Sequence, residues 1–285
     1  MTCQTLISVD QLAAAARSAH PPLVLDCSFE LTDIGAGERL YAAGHIPGAV
    51  YVHLEHTLSA AKNGRNGRHP LPTREAFAQA MAALGVDDTT QVVAYDNAGG
   101  MYASRLWWML RWAGHRAAAV LDGGIAAWKA AGHPVSADVP AARPRGNFSL
   151  RPSLVQTVDY QAIKANIDSR QKLVLDARAP DRFRGENETL DPIGGHIPGA
   201  RNRLFRDNLA ADGRFKAPAQ LRAEFDAITG GRAADQLVAQ CGSGVTACHN
   251  LLAMEVAGLA GAALYPGSWS EWSAQPGAPI ATGAA

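Results

Sequence analysis

Cys241 heads the loop Cys241-Gly-Ser-Gly-Val-Thr-Ala247, and this is where residue types and spacing first suggest chemistry. Residues 236–240 read as a buried strand and residues from 247 as a helix, so the cysteine sits at a strand-to-helix turn. Gly242 and Gly244 let the backbone curl with its N–H groups turned inward, and Val245 and Thr246 continue the ring. The N-terminus of the helix behind adds to a field that stabilises an anion. A thiolate there is reactive at neutral pH. Three chemistries use such a site: attack on phosphate, disulfide exchange, or acceptance of a sulfur atom held as a persulfide. Phosphate attack needs an arginine at the sixth position after the cysteine to clamp the phosphoryl oxygens, and that position is Ala247. Disulfide exchange wants a resolving cysteine, and none lies within three residues. Cys248 falls inside the helix and reads as core, the ordinary fate of a free cysteine.

The elements that position this loop form a pattern that the chain repeats. Short apolar runs at 23–25, 91–95 and 118–121 read as buried strands, and so do their counterparts at 173–175, 237–240 and 262–265. Helical patterns cover 74–84, 103–113, 218–228 and 247–257. Alternating strands and helices predict an α/β fold, a mostly parallel sheet with helices on both faces and ligands beyond the carboxyl ends of the strands. Leu23-Val-Leu-Asp26 returns as Leu173-Val-Leu-Asp176, and Gly44-His-Ile-Pro-Gly-Ala49 returns as Gly195-His-Ile-Pro-Gly-Ala200. Later, Leu121-Asp-Gly-Gly-Ile-Ala-Ala-Trp128 is echoed by Leu264-Tyr-Pro-Gly-Ser-Trp-Ser-Glu-Trp272. A period this long means two copies of one domain rather than a solenoid. The expected division is an N-terminal domain at 1–136, an extended proline-containing linker at 137–152 and a C-terminal domain at 153–285.

Composition narrows the function classes. Apolar residues are 47% of the 285, which is ample for two cores. Lys plus Arg and Asp plus Glu are 26 each, so no net field draws in nucleic acid or an anionic membrane. Nothing approaches the ~20 apolar residues of a membrane span, and the first ten residues do not read as a secretory signal. Four cysteines without a C-x-x-C pair or a histidine cluster suggest neither a disulfide scaffold nor a zinc site. The expected setting is a reducing cytoplasm, and the chemistry needs no cofactor and no metal.

On these motifs both halves resemble rhodanese domains, and the Cys241 loop resembles that of the 3-mercaptopyruvate sulfurtransferases. The resemblance covers almost the whole chain, including Gly267-Ser-Trp-Ser-Glu-Trp272. It implies two tandem rhodanese-like domains of which only the second is catalytic, and Asp96 stands near where a first-copy nucleophile would be. The implied reaction has two halves. Cys241 takes sulfur from a small-molecule donor, and a thiophilic acceptor (cyanide, a thiol or a thioredoxin-like protein) removes it. Thiosulfate-using relatives carry basic side chains after the cysteine, whereas Gly242 and Ser243 are neutral, which favours mercaptopyruvate.

By the same resemblance Ser243, His69 and Glu55 form a proton relay, with Glu55 where the family has an aspartate, and Arg182 holds the donor's anionic end. Gly242, Gly244, Val245 and Thr246 line the substrate, while Arg178 and Arg184 read as surface salt-bridge partners. Two departures stand out. The family's second arginine is missing from Asn187-Glu-Thr-Leu-Asp-Pro-Ile193, leaving Arg201, Arg203 or Arg206 as replacements, and Pro266 stands where an aspartate is usual. His45 and His196 read as structural, and Trp107, Trp108 and Trp112 as core. The competing class is a non-catalytic persulfide carrier or sulfur-sensing module.

Overall fold

Four-residue apolar runs without polar alternation must be covered on both faces, and a parallel sheet between helices does this. In the computed structural model, which describes residues 2–284, the first half contributes β1 (Leu6–Ile7), β2 (Leu23–Asp26), β3 (Val50–Tyr51), β4 (Val92–Tyr95) and β5 (Ala118–Leu121). The second half contributes β6 (Gln156–Thr157), β7 (Leu173–Asp176), β8 (Arg201–Asn202), β9 (Leu237–Gln240) and β10 (Ala263–Leu264). The sheets run β1-β5-β4-β2-β3 and β6-β10-β9-β7-β8, every pair parallel, so the two copies match strand for strand. All residues of β2, β4, β5, β7 and β9 are buried.

The four expected helices lie at Arg74–Ala83, Ala103–Trp112, Pro218–Thr229 and Thr246–Val256. Thr73 caps the first by accepting from Ala76 N–H, and Pro218 opens the third, where its missing donor costs nothing. Trp107 and Trp108 are fully buried on the second, and Trp108 stacks on Trp112, so these rings are core packing. Among the described residues six further α-helices accompany them, at Val9–Ala15, Ala36–Ala43, Gly124–Ala130, Tyr160–Ser169, Pro180–Arg184 and Ser268–Trp272.

Two compact units result. The first holds the stretch through Ala60, Pro72–Leu154 and Ala211–Phe215; the second holds Ala61–Leu71, Val155–Ala210 and the chain from Lys216 onward. The segment bearing Arg68 and His69 thus belongs to the second unit although it precedes most of the first. The proline-containing stretch lies along the first unit without regular structure. Gly146 N–H donates to Ala82 O at 2.8 Å, Arg151 N–H to Ala113 O at 3.0 Å and Leu154 N–H to Arg111 O at 3.0 Å, and Phe148 is buried.

The repeated Gly-His-Ile-Pro-Gly-Ala blocks are structural in both units. His45 stacks on Tyr41 at 4.0 Å and lies 2.8 Å from its carbonyl through Nδ1. His196 stacks on Phe183 at 3.8 Å and lies 2.9 Å from its carbonyl in the same way. Among the described residues no helix is long and apolar enough to cross a membrane.

Candidate active site in the second unit

Cys241 follows the last residue of β9, with its thiol buried and only 1% of the residue exposed. The loop folds back on the sulfur: Gly244 N–H points at Sγ from 3.1 Å and Ser243 N–H from 3.4 Å. The curl depends on Gly244, whose φ is +77°. A side chain there would also strike Pro266 O at 2.3 Å. Val245 stands at the N-cap and Thr246 begins the helix, so its N-terminus backs the sulfur. Among the described residues no group of three or more His, Cys, Asp or Glu is arranged to hold a metal ion.

One turn holds this loop in place. Ser268 Oγ accepts from Cys241 N–H at 3.1 Å, Trp269 N–H donates to Cys241 O at 2.9 Å, and Ser270 N–H donates to Gly242 O at 2.9 Å. Ser268 does this from a left-handed conformation, φ +55°, with its hydroxyl also donating to Tyr265 O at 2.9 Å. The same turn holds the 61–71 segment. Ser270 Oγ accepts from Arg68 N–H at 3.0 Å, and Gly67 lies so close to Gly267 O that a Cβ would come within 2.8 Å of it. The motif 267–272 is therefore the bracket that sets His69 beside the loop. His69 Nδ1 lies 2.8 Å from Ser243 Oγ, and both residues are buried.

Charged groups converge on Gly242, the residue after the cysteine. A Cβ placed there would stand 2.6 Å from Arg68 Nη2 and 3.7 Å from Arg182 Nη2. Glu188 fixes Arg182 by accepting from Nε at 3.0 and 3.1 Å and from Nη2 at 2.7 Å, and it also accepts from Leu190 and Asp191 N–H. Burial alone would raise its carboxyl, but these donors hold it below the usual glutamate value. Asp191 pairs with Arg68 Nη1 and lies 3.5 Å from Arg182 Nη2, with only 3% of its side chain exposed.

Several sequence expectations change. Arg178 is not a surface residue: it is 3% exposed, with Asp176 at 2.6 Å, Glu188 at 3.4 Å and its guanidinium 4.6 Å from the Trp269 ring. Burial works against its charge, but the two carboxylates keep it protonated, above the ordinary guanidinium value. The replacement arginines are engaged elsewhere. Arg201 donates to Ile228 O, Arg203 pairs with Glu224 at 2.6 Å, and Arg206 lies over the Phe205 ring. Glu55, whose N–H donates to His53 Nδ1 at 3.1 Å, is not among the changed expectations. Sequence reasoning missed Arg68, Glu188, Asp191 and Ser268. Arg68 stood beside the chosen His69, but no local pattern signals a contact more than 170 residues away.

In the first unit the matching turn is closed by its own acid. Asp96 follows β4, and its carboxylate accepts from Ala98, Gly100, Tyr102 and Ala103 N–H at 2.7–2.9 Å. The remaining thiols are packing groups. Burial pushes the Cys27 thiol well above its usual value, and Cys248 donates to Gly244 O at 3.3 Å.

Comparison with known proteins gives the same picture. The rhodanese-like domain profile matches residues 8–131 and again 159–275. A probable 3-mercaptopyruvate sulfurtransferase from Pseudomonas aeruginosa is 48% identical over 99% of this chain and 100% of its own. The bovine (Bos taurus) thiosulfate sulfurtransferase is 36% identical over 94% of this chain and 92% of its own. Among solved structures, SseA from Escherichia coli, a 3-mercaptopyruvate sulfotransferase, superposes with a TM-score of 0.79 at 30% identity, covering 94% of this chain and 99% of that one. A domain matched twice over most of the chain, on two sheets of identical strand order, leaves one conclusion: the chain belongs to the rhodanese family, as a tandem-domain member.

Proposed function

We propose that the chain is a sulfurtransferase that carries sulfur on Cys241 as a persulfide, with 3-mercaptopyruvate as its preferred donor and a thiol or thioredoxin-like acceptor. In the first half-reaction the thiolate attacks the donor's sulfur. The S–S bond forms, the donor's C–S bond breaks, and its electron pair leaves as the pyruvate enolate, which then takes up a proton. With thiosulfate the sulfane S–S bond breaks and sulfite leaves with the electron pair. The acceptor attacks the outer sulfur and returns Cys241 as thiolate. The Ser243 and Gly244 amides stabilise the sulfur's negative charge in each state.

The observation that carries the donor reading is the 2.8 Å contact between Ser243 Oγ and His69 Nδ1 beside the nucleophile. An enolate must be protonated to leave as pyruvate, whereas sulfite leaves as a stable anion. A buried hydroxyl backed by an imidazole is therefore needed for one donor and idle for the other. The neutral Gly242-Ser243 pair also favours a monoanion over a dianion. The first unit has no transfer role in this reading, because Asp96 gives it a carboxylate in place of a nucleophile. Four free cysteines agree with a reducing, cytoplasmic setting.

Thiocyanate formation with each donor tests the proposal. Ser243→Ala should lower kcat/KM with mercaptopyruvate by about 10²–10⁴-fold and leave thiosulfate within a few-fold. An equal loss with both donors would refute the proton-donor role, and higher native kcat/KM with thiosulfate would refute the donor preference. No thiocyanate above the Cys241→Ser background would favour a carrier over an enzyme.

A further inference from the structure

We infer that Arg68 is the second arginine of the donor's anion site, acting with Arg182 over Gly242; this rests on the sulfur-transfer reading above. Sequence reasoning sought this charge in the loop before the Gly-His-Ile-Pro-Gly block, or just after it. The structure brings it from the 61–71 segment.

Three observations converge. First, the tips of Arg68 and Arg182 both lie within 4 Å of the point where a Cβ on Gly242 would sit, so two cations share one small space next to the nucleophile. Second, neither guanidinium is spent on its fixed partners. Arg68 gives Nη1 to Asp191, and its Nη2, the atom nearest Gly242, has no partner among the described residues. Arg182 gives Nε and Nη2 to Glu188 and has Nη1 to spare among the described residues. Third, both side chains are partly open, 25% and 18% exposed, while their carboxylate partners Asp191 and Glu188 are 3% and 4% exposed. The acids are packed away as supports and the bases face outward. That arrangement suits an incoming anion.

Asp191 does the aligning. Its carboxylate lies against both guanidiniums, which holds them side by side against their mutual repulsion. A donor carboxylate can then take one N–H from each arginine without displacing Asp191. The backbone hydrogen bond from Arg68 to Ser270 ties this cation to the turn that also holds Cys241, so anion seat and nucleophile share one bracket.

A donor lacking the anion separates binding from structure. Arg68→Gln should raise KM for mercaptopyruvate by about 10- to 100-fold, the loss of one charge-assisted hydrogen bond, with kcat within a few-fold. Mercaptoacetone, which has a methyl group in place of the carboxylate, should react poorly with the native enzyme and no worse with Arg68→Gln. Arg68→Lys, which keeps the charge without the planar fork, should fall between native and Gln. Unchanged KM for mercaptopyruvate, or an equal rise with both donors, would overturn the inference. If the sulfur-transfer reading itself were wrong, the native chain would yield no thiocyanate from any donor, an outcome distinct from both.

Discussion

Gly242 and Gly244 flank Ser243 in one loop, yet alanine at each should do opposite things. At Gly244 the backbone is left-handed, φ +77°, which costs an L-residue about 1–2 kcal/mol. The new methyl would also lie 2.3 Å from Pro266 O and 3.1 Å from Pro266 C and Cα. These are backbone atoms that no rotamer change can clear, so overpacking adds about 1–3 kcal/mol. Gly244→Ala should therefore lose roughly 2–5 kcal/mol, a fall in melting temperature on the order of 10 °C. At Gly242 the φ is not left-handed, and the three atoms nearest to a methyl there belong to the Arg68 and Arg182 guanidinium tips, the movable ends of long chains. Gly242→Ala should therefore lose clearly less stability than Gly244→Ala, because flexible side-chain ends can move aside where backbone cannot. Its cost should fall on donor binding, because the methyl occupies the point that the two guanidiniums share. Denaturant unfolding followed by tryptophan fluorescence, to which Trp269, fully buried and bonded through its backbone to Cys241, contributes, gives the midpoints. Equal midpoints for the two variants, or a native midpoint for Gly244→Ala, would refute the assignment of strain to Gly244.

Two further outcomes are expected. Asp96→Ala should strand four backbone donors, three of them buried, and cost about 3 kcal/mol or more, with faster hydrogen exchange at Ala98, Gly100, Tyr102 and Ala103; native exchange at these amides would sink the idea. Burial opposes the Glu224 charge, but bonds from Arg203, Lys216 and Gln220 outweigh it and lower the carboxyl from 4.5 to about 2. A carboxyl depressed on folding stabilises above its unfolded pKa and loses that contribution as pH falls through the folded one. Glu224→Gln should therefore lose less stability than native between about pH 4.5 and pH 2, and parallel acid-unfolding curves would contradict this.

The sequence revealed the repeat, the four-residue strands and the long helices, because continuous apolar runs and helical periodicity are local properties. It did not reveal β1, β3, β6, β8 or the six further helices. A two-residue strand such as Gln156–Thr157, exposed at both positions, leaves no periodicity to read. At the site, Cys241 was legible because strand, glycines and helix are contiguous. Arg68, Asp191 and Ser268 were not, since each acts through a partner more than 25 residues away. Arg178 was misread for a related reason. An arginine just past a strand's end reads as solvent-facing, but Asp176, Glu188 and the Trp269 ring enclose it.

Setting the two copies side by side shows what arming a domain takes. Both turns follow equivalent strands, β4 and β9, of the two matching sheets, and both anchor the carbonyl of the key residue on the segment after the next strand. Asp96 O accepts from Ile125 N–H at 3.2 Å, and Cys241 O accepts from Trp269 N–H at 2.9 Å. The difference lies in how the inward-facing amides are used. In the first unit a short acid fills them with two oxygens, consumes four N–H groups and leaves a turn complete in itself. In the second unit a single sulfur receives two amides at 3.1 and 3.4 Å, distances that suit a large, diffuse anion. A sulfur atom can also bond outward, which a carboxylate saturated by its own loop cannot do. The backbone cradle is thus common property of both copies, and reactivity follows from seating in it an atom that the loop does not fully satisfy.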